Sequence, residues 1–142
     1  ALRVGWAYCP TEIAMVFHRV RGPFNVNAAA QAAALAALRD IRHTDEARAH
    51  NDKWLPWLQG ECERLGLDYI PSVGNFLTIE FGTDGPHSAA AAQKFLRTKG
   101  ILPRAIGGYG LGGHVRFTVG LEAENRAVIA ALEAFLSSGD GA

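Results

Sequence analysis

A small α+β layer is predicted for residues 67–142: a largely antiparallel sheet with helices on one side. Three observations predict it. Residues 75–81 and 115–119 alternate apolar and polar side chains, the period of a strand with one buried face. Residues 88–99 and 122–137 carry apolar side chains at helical spacing, the second with Val128, Ile129, Leu132, Phe135 and Leu136 on one side. Turn residues separate these segments, and the resulting order from about residue 67 is β-β-α-β-β-α.

From the start of the chain, residues 2–8 form a short apolar run bounded by Cys9-Pro10 and predict a buried strand. Pro10 suits a first helical turn, and Ile13, Val16, Phe17 and Val20 in residues 11–20 have helical spacing. Arg21-Gly22-Pro23 breaks that helix. Asn27 is a good N-cap for an alanine-rich helix over residues 28–41. Eight alanines among residues 28–37 leave little bulk, so this helix is expected to be packed closely on several sides. Thr44-Asp45 opens a long helix that runs to Leu65 and stops at Gly66, with a kink or break expected near Asp52 because Pro56 lies inside it.

In the second half, residues 68–70 are a short strand. Residues 75–81 place Leu77, Ile79 and Phe81 on one face and Phe76, Thr78 and Glu80 on the other. Ser88 caps a helix to Lys99 that ends at Gly100. Residues 101–106 form a strand whose Pro103 points to a sheet edge. In residues 115–119, Val115, Phe117 and Val119 face one way and Arg116 and Thr118 the other. Glu122 and Glu124 suit the first turn of the last helix. The expected organisation is residues 1–44 as the end of a larger domain, 45–66 as a connecting helix and 67–142 as a small C-terminal domain.

Composition narrows the function classes. The chain has 142 residues, 49% of them apolar, and 14 basic side chains balance 14 acidic ones. This is a globular composition without the basic excess of a general nucleic-acid binder. No apolar run approaches the roughly 18 residues of a membrane helix. Cys9 and Cys62 read as reduced thiols of a cytoplasmic protein. The chain opens on an apolar run with no lead-in, as the interior of a larger protein would.

The segment from Leu102 to Gly120 carries the chemistry. Arg104 and Arg116 flank a glycine-rich loop, and a guanidinium offers a planar fork of donors that suits a carboxylate or a phosphate. The pair is a candidate grip on the anionic end of a small substrate. The loop formally contains GxGxxG in residues 108–113, but a strand follows where a dinucleotide site needs a helix, so it reads as tight turns. His18, His43, His50, His87 and His114 form no recognised ligand spacing, and no metal site is expected. They read as solvated surface histidines.

The segments LRVGWAYCPTEI, RVRGPFNVNAAAQAAALAAL, PSVGNFLTIEF, KGILPRAIGGYGL and HVRFTVGLEAENRAVIAALEAFL, in this order, resemble the C-terminal part of the histidinol-phosphate aminotransferase family. The resemblance covers essentially the whole chain. It implies an α/β, fold-type I enzyme dependent on pyridoxal 5'-phosphate, with the aspartate-aminotransferase fold. The implied reaction moves an amino group between histidinol phosphate and 2-oxoglutarate or glutamate in histidine biosynthesis. It also implies a homodimer when complete, or pairing with a separate N-terminal chain.

The resemblance assigns Arg3 to the cofactor phosphate, and Arg104 and Arg116 to the substrate phosphate or carboxylates. No catalytic residue is assigned: the family's Schiff-base lysine precedes a segment like Leu2-Arg3-Val4-Gly5, and Lys53, Lys94 and Lys99 match none of it. The chain alone is therefore expected to be inactive. Gly112 and Gly113 stand where the family has proline and an acidic residue, and Pro103 replaces a β-branched one. A second function class is non-catalytic: a truncated paralogue or fragment acting as an anion-binding or subunit-interaction module.

Overall fold

The computed structural model describes residues 2–138. The elements are α1 (Thr11–Val20), α2 (Ala28–Arg39), α3 (Ile41–Arg64), β1 (Tyr69–Ile70), β2 (Phe76–Glu80), α4 (Ala89–Thr98), β3 (Arg104–Ala105), β4 (His114–Thr118) and α5 (Glu122–Ser137), with a 3-10 turn at Gly107–Tyr109. The chain divides into two compact units, Ala1–Glu46 and Ala47–Ala142, with the division inside α3. No helix among the described residues is long and apolar enough to cross a membrane.

The second unit is the α+β layer. Its four strands pair antiparallel in the order β1-β2-β4-β3. The β2–β4 register sets Leu77 opposite Phe117 and Ile79 opposite Val115. Alternation then sends all four to one face, where they are buried. Leu55, Leu58 and Cys62 of α3, Leu96 of α4, and Ile129 and Leu132 of α5 join them in one core. All three helices therefore supply side chains to the same face of the sheet. Each fully buried aliphatic side chain here contributes about 1.5–3 kcal/mol. An aromatic group extends this core, with Phe135 of α5 against Phe81, Phe95 and His87.

Local chemistry fixes the element ends. Asn27 Oδ1 accepts the backbone N–H of Ala30 at 2.8 Å, capping α2, and Ser88 Oγ accepts that of Ala91, capping α4. At α5, Glu124 Oε2 accepts from Leu121 N at 2.7 Å. Asn125 is buried and closes the turn before α5: Oδ1 accepts from Gly120 N and Nδ2 donates to Gly120 O.

Several expectations are corrected. The run 2–8 is exposed and forms no strand, because nothing among the described residues offers it a ladder partner. In α2 only Ala30 is buried, so close packing on several sides is not achieved within the first unit. Helix α3 starts earlier than Thr44, because Asp40 Oδ1 accepts the N–H of His43 at 3.0 Å and supplies the cap. It continues unbroken through Pro56. Both Asp52, whose carbonyl loses its donor, and Pro56 are exposed, so water can take that bond. The strand expected over 101–106 shrinks to Arg104–Ala105, as Pro103 gives the ladder no N–H.

Candidate anion-binding site

The site grows from the face of the sheet turned away from the helices. On β2 that face carries Phe76, Thr78 and Glu80; on β4 it carries His114, Arg116 and Thr118, with Thr78 opposite Arg116 and Glu80 opposite His114. On the other side of β4, Arg104 of β3 is the direct cross-strand partner of Arg116. Sequence-predicted Arg104 and Arg116 are thus brought onto one face, directly opposite each other. Like charges in that position destabilise a strand pair unless something negative lies between them.

Neither arginine forms an ion pair among the described residues. Arg116 is half-buried, and its Nε is buried with no hydrogen-bond partner. Its Cζ lies over the Phe76 ring, 4.8 Å from the centroid, so one side of the guanidinium plane is covered by an aromatic face. Arg104 is exposed and donates from Nη2 to the Tyr109 hydroxyl oxygen at 3.3 Å. That leaves the Tyr109 proton as a further donor beside the arginines. A cleft of about 650 Å³ runs along this edge, and its walls include Lys99, Pro103, Arg104, Arg116 and Thr118. The same walls carry one carboxylate, Glu124 of α5, so three cations stand against one anion and the cleft suits a small anion.

The loop between β3 and β4 is held against another turn. Gly113 is buried, and a Cβ there would lie 3.0 Å from the Gly82 carbonyl carbon. An acidic side chain at this position would press on the Gly82 backbone, so glycine there suits the close approach of the two turns. Phe81 N donates to Gly113 O at 2.8 Å across the same contact. Gly110 terminates the 3-10 turn with φ of 79°, a left-handed conformation open to glycine.

The histidines separate into different roles. His50 is half-buried and hydrogen-bonds through Nε2 to Gly120 O at 2.8 Å, tying α3 to the turn before α5, so it is not a solvated surface histidine. His87 packs on Phe135. His114 Nε2 is 3.8 Å from Glu80. No cluster among the described residues has the donor set of a metal site. Cys9 is half-buried; Cys62 is fully buried, and its burial, followed by the neighbouring Glu61 and Glu63, pushes its thiol pKa up to about 12.

Arg3 belongs to the first unit. It is exposed, with φ of 61°, a left-handed conformation that non-glycine residues rarely adopt. It lines a shallow cleft with the alanine face of α2. Its guanidinium has no ion-pair partner among the described residues, and its chemistry suits the phosphate end of pyridoxal phosphate. The first unit offers no amine to the aldehyde end, since residues 1–46 contain no lysine. The residues present fit one contact of the cofactor and not its carbonyl chemistry. A concavity of about 980 Å³ in the first unit has mostly apolar walls that include Trp6, Phe24 and Leu35. Its one arginine, Arg21, already donates to His18 and Asn25.

Sequence reasoning found both arginines of the pair and missed Phe76, Tyr109, Asn125 and His50. Phe76 could be placed on the outer face by alternation, but its position beside Arg116 follows only from the β2–β4 register. Tyr109, Asn125 and His50 act through contacts between elements, for which no spacing rule exists.

Curated relatives share the full run of this chain. It is 53% identical over 137 residues to the histidinol-phosphate aminotransferase of Paramagnetospirillum magneticum, an alignment covering 96% of this chain and 38% of that protein. It is 44% identical over 140 residues to the enzyme of the same name from Rhodospirillum rubrum, covering 99% of this chain and again 38% of the relative. The chain therefore spans little more than a third of the length of these proteins. Among solved structures, histidinol-phosphate aminotransferase from Sinorhizobium meliloti in complex with pyridoxal-5'-phosphate aligns with a TM-score of 0.74 and 26% identity, over 89% of this chain and 35% of that one. The Clostridium acetobutylicum histidinol-phosphate aminotransferase shares the fold at a TM-score of 0.76 and 23% identity, over 89% of this chain and 38% of that one. Residues 1–132 match the family described as aminotransferase class I and II, and the chain belongs to that family.

Proposed function

We propose that this chain supplies the substrate-anion clamp and small domain of a pyridoxal-phosphate-dependent aminotransferase. The amino group would pass between histidinol phosphate and 2-oxoglutarate or glutamate. The observation that carries the reading is the direct cross-strand pairing of Arg104 with Arg116, two cations on one face that form no ion pair among the described residues. A phosphate or carboxylate held by both would replace their repulsion with charge-assisted hydrogen bonds. The names of the curated relatives support histidinol phosphate as the substrate carrying that phosphate.

When bound, the cofactor supplies the electron sink of the reaction. This chain's part is to bind and orient: Arg3 would hold the cofactor phosphate, and Arg104 and Arg116 would fix the substrate by its anionic end. Binding energy from that remote anion then serves orientation at the reacting carbon. The exposed apolar side chains of the first unit, among them Trp6, Phe17, Phe24 and Leu38, support a further protein surface covering it in the working enzyme.

The test is turnover by the polypeptide that carries this chain, with histidinol phosphate and 2-oxoglutarate as substrates. Arg116→Ala should lower kcat/KM by an amount corresponding to about 2–5 kcal/mol, the usual loss on removing one arm of a charge pair. Kinetics unchanged by that substitution would remove the clamp.

A further inference from the structure

We infer that Phe76 is the positioning residue of the clamp, holding the Arg116 guanidinium in a fixed plane, and that Gly74 makes room for its ring. The inference rests on Arg116 being an anion ligand and adds what holds it in place. Phe76 is opposite Thr118 and Thr78 is opposite Arg116, so Phe76 and Arg116 are diagonal neighbours on adjacent strands. At that separation an aromatic ring and a long side chain reach one another. The Arg116 Cζ is 4.8 Å from the ring centroid.

Arg116 needs such support because its Nε is buried and donates to no group among the described residues. A guanidinium is usually fixed by carboxylate or carbonyl acceptors, and Arg116 has none among the described residues. A ring face attracts the cation without occupying its N–H fork, so the fork stays open to a ligand. A carboxylate in the place of Phe76 would fix the plane equally well, but would neutralise the charge that the ligand must meet.

The ring itself is placed from behind. A Cβ on Gly74 would lie 3.1 Å from Phe76 Cε1 and 3.5 Å from Cδ1, so only glycine leaves the ring this position without a shift. The Gly74 turn is held from two sides: its N–H donates to Ser72 Oγ at 3.1 Å, and its carbonyl accepts from Asn51 Nδ2 of α3 at 3.2 Å. A line of contacts therefore runs from α3 through Gly74 and Phe76 to Arg116.

The probe is inorganic phosphate titrated into the 142-residue chain. The readout is the arginine Nε–Hε nuclear magnetic resonance signals, with Arg116 assigned by its loss in Arg116→Ala and the fold checked by circular dichroism. Phe76→Met keeps an apolar side chain of similar volume and removes the ring. It should weaken phosphate binding about three- to tenfold, the size of one partly desolvated cation–π contact. It should also shift the Arg116 signal before phosphate is added. Phe76→Tyr, which keeps the ring, should retain both affinity and signal. Two results separate the failures. If Arg116→Ala abolishes binding while Phe76→Met binds as the unsubstituted chain does, the positioning role is overturned and the clamp stands. If Arg116→Ala binds phosphate unchanged, or the unsubstituted chain shows no saturable binding, the clamp falls and this inference with it. If Phe76→Met does not fold, a Phe76→Tyr chain that folds but loses the affinity overturns the inference.

Discussion

Replacing Arg116 with methionine should change the stability of the second unit in opposite directions with and without an anion. Three contributions set the sign when no anion is bound. Relief of the like-charge pair with Arg104 returns about 0.2–1 kcal/mol. Removal of the buried, unpartnered Nε returns about 1–3 kcal/mol. Loss of the stack on Phe76 takes back about 1 kcal/mol at a half-buried site. The methionine stem keeps most of the apolar cover that the arginine stem gave. The variant should thus be more stable by roughly 1–2 kcal/mol at low ionic strength. With phosphate at about 100 times its Kd, the unsubstituted chain gains about 2.7 kcal/mol and the variant, with one arm missing, gains little. The order of the two proteins then inverts. Urea unfolding followed by the fluorescence of Trp54 and Trp57, with and without phosphate, measures both halves. A variant that is less stable without phosphate, or a difference that phosphate does not change, would refute the reasoning.

Three further outcomes are expected. Cys62 has a folded pKa of about 12, above its usual value of 9.0, so the folded state keeps its proton longer than the unfolded state does. The stability it contributes is complete below about pH 9 and is lost as pH rises toward 12, by at most about 4 kcal/mol; unfolding free energy measured across that range in Cys62→Ala should lack this slope. Asn125→Ala removes both side-chain bonds to Gly120 at a buried position and should cost about 2–3 kcal/mol in urea unfolding; a loss below about 0.5 kcal/mol would mean that the turn holds itself. The chain alone, mixed with pyridoxal phosphate and glutamate, should show neither Schiff-base absorbance nor transamination, since the unit that carries Arg3 has no lysine; detecting both would overturn that expectation.

Residue types and their periods determined most of the second unit. Alternation in β2 and β4, apolar spacing in α4 and α5, and the Ser88 cap are properties of consecutive residues, and they survive folding because burial and hydrogen bonding act on them locally. The same alternation put Arg116 on the outer face of its strand. The run 2–8 shows the limit: its apolar character asks for a buried strand, but a strand needs a neighbour, and no pattern within a segment says whether one exists.

Tertiary structure alone decided the site. That Arg104 and Arg116 face each other follows from the pairing of β3 with β4, and that Phe76 lies under Arg116 follows from the register of β2 with β4. A shift of one residue in either register would send the two partners to opposite faces of the sheet, with no change in composition or period. The sequence by itself determined which side chains could grip an anion. The strand registers, set by how Leu77, Ile79, Val115 and Phe117 fill a single core, decided that two of them stand together on one face.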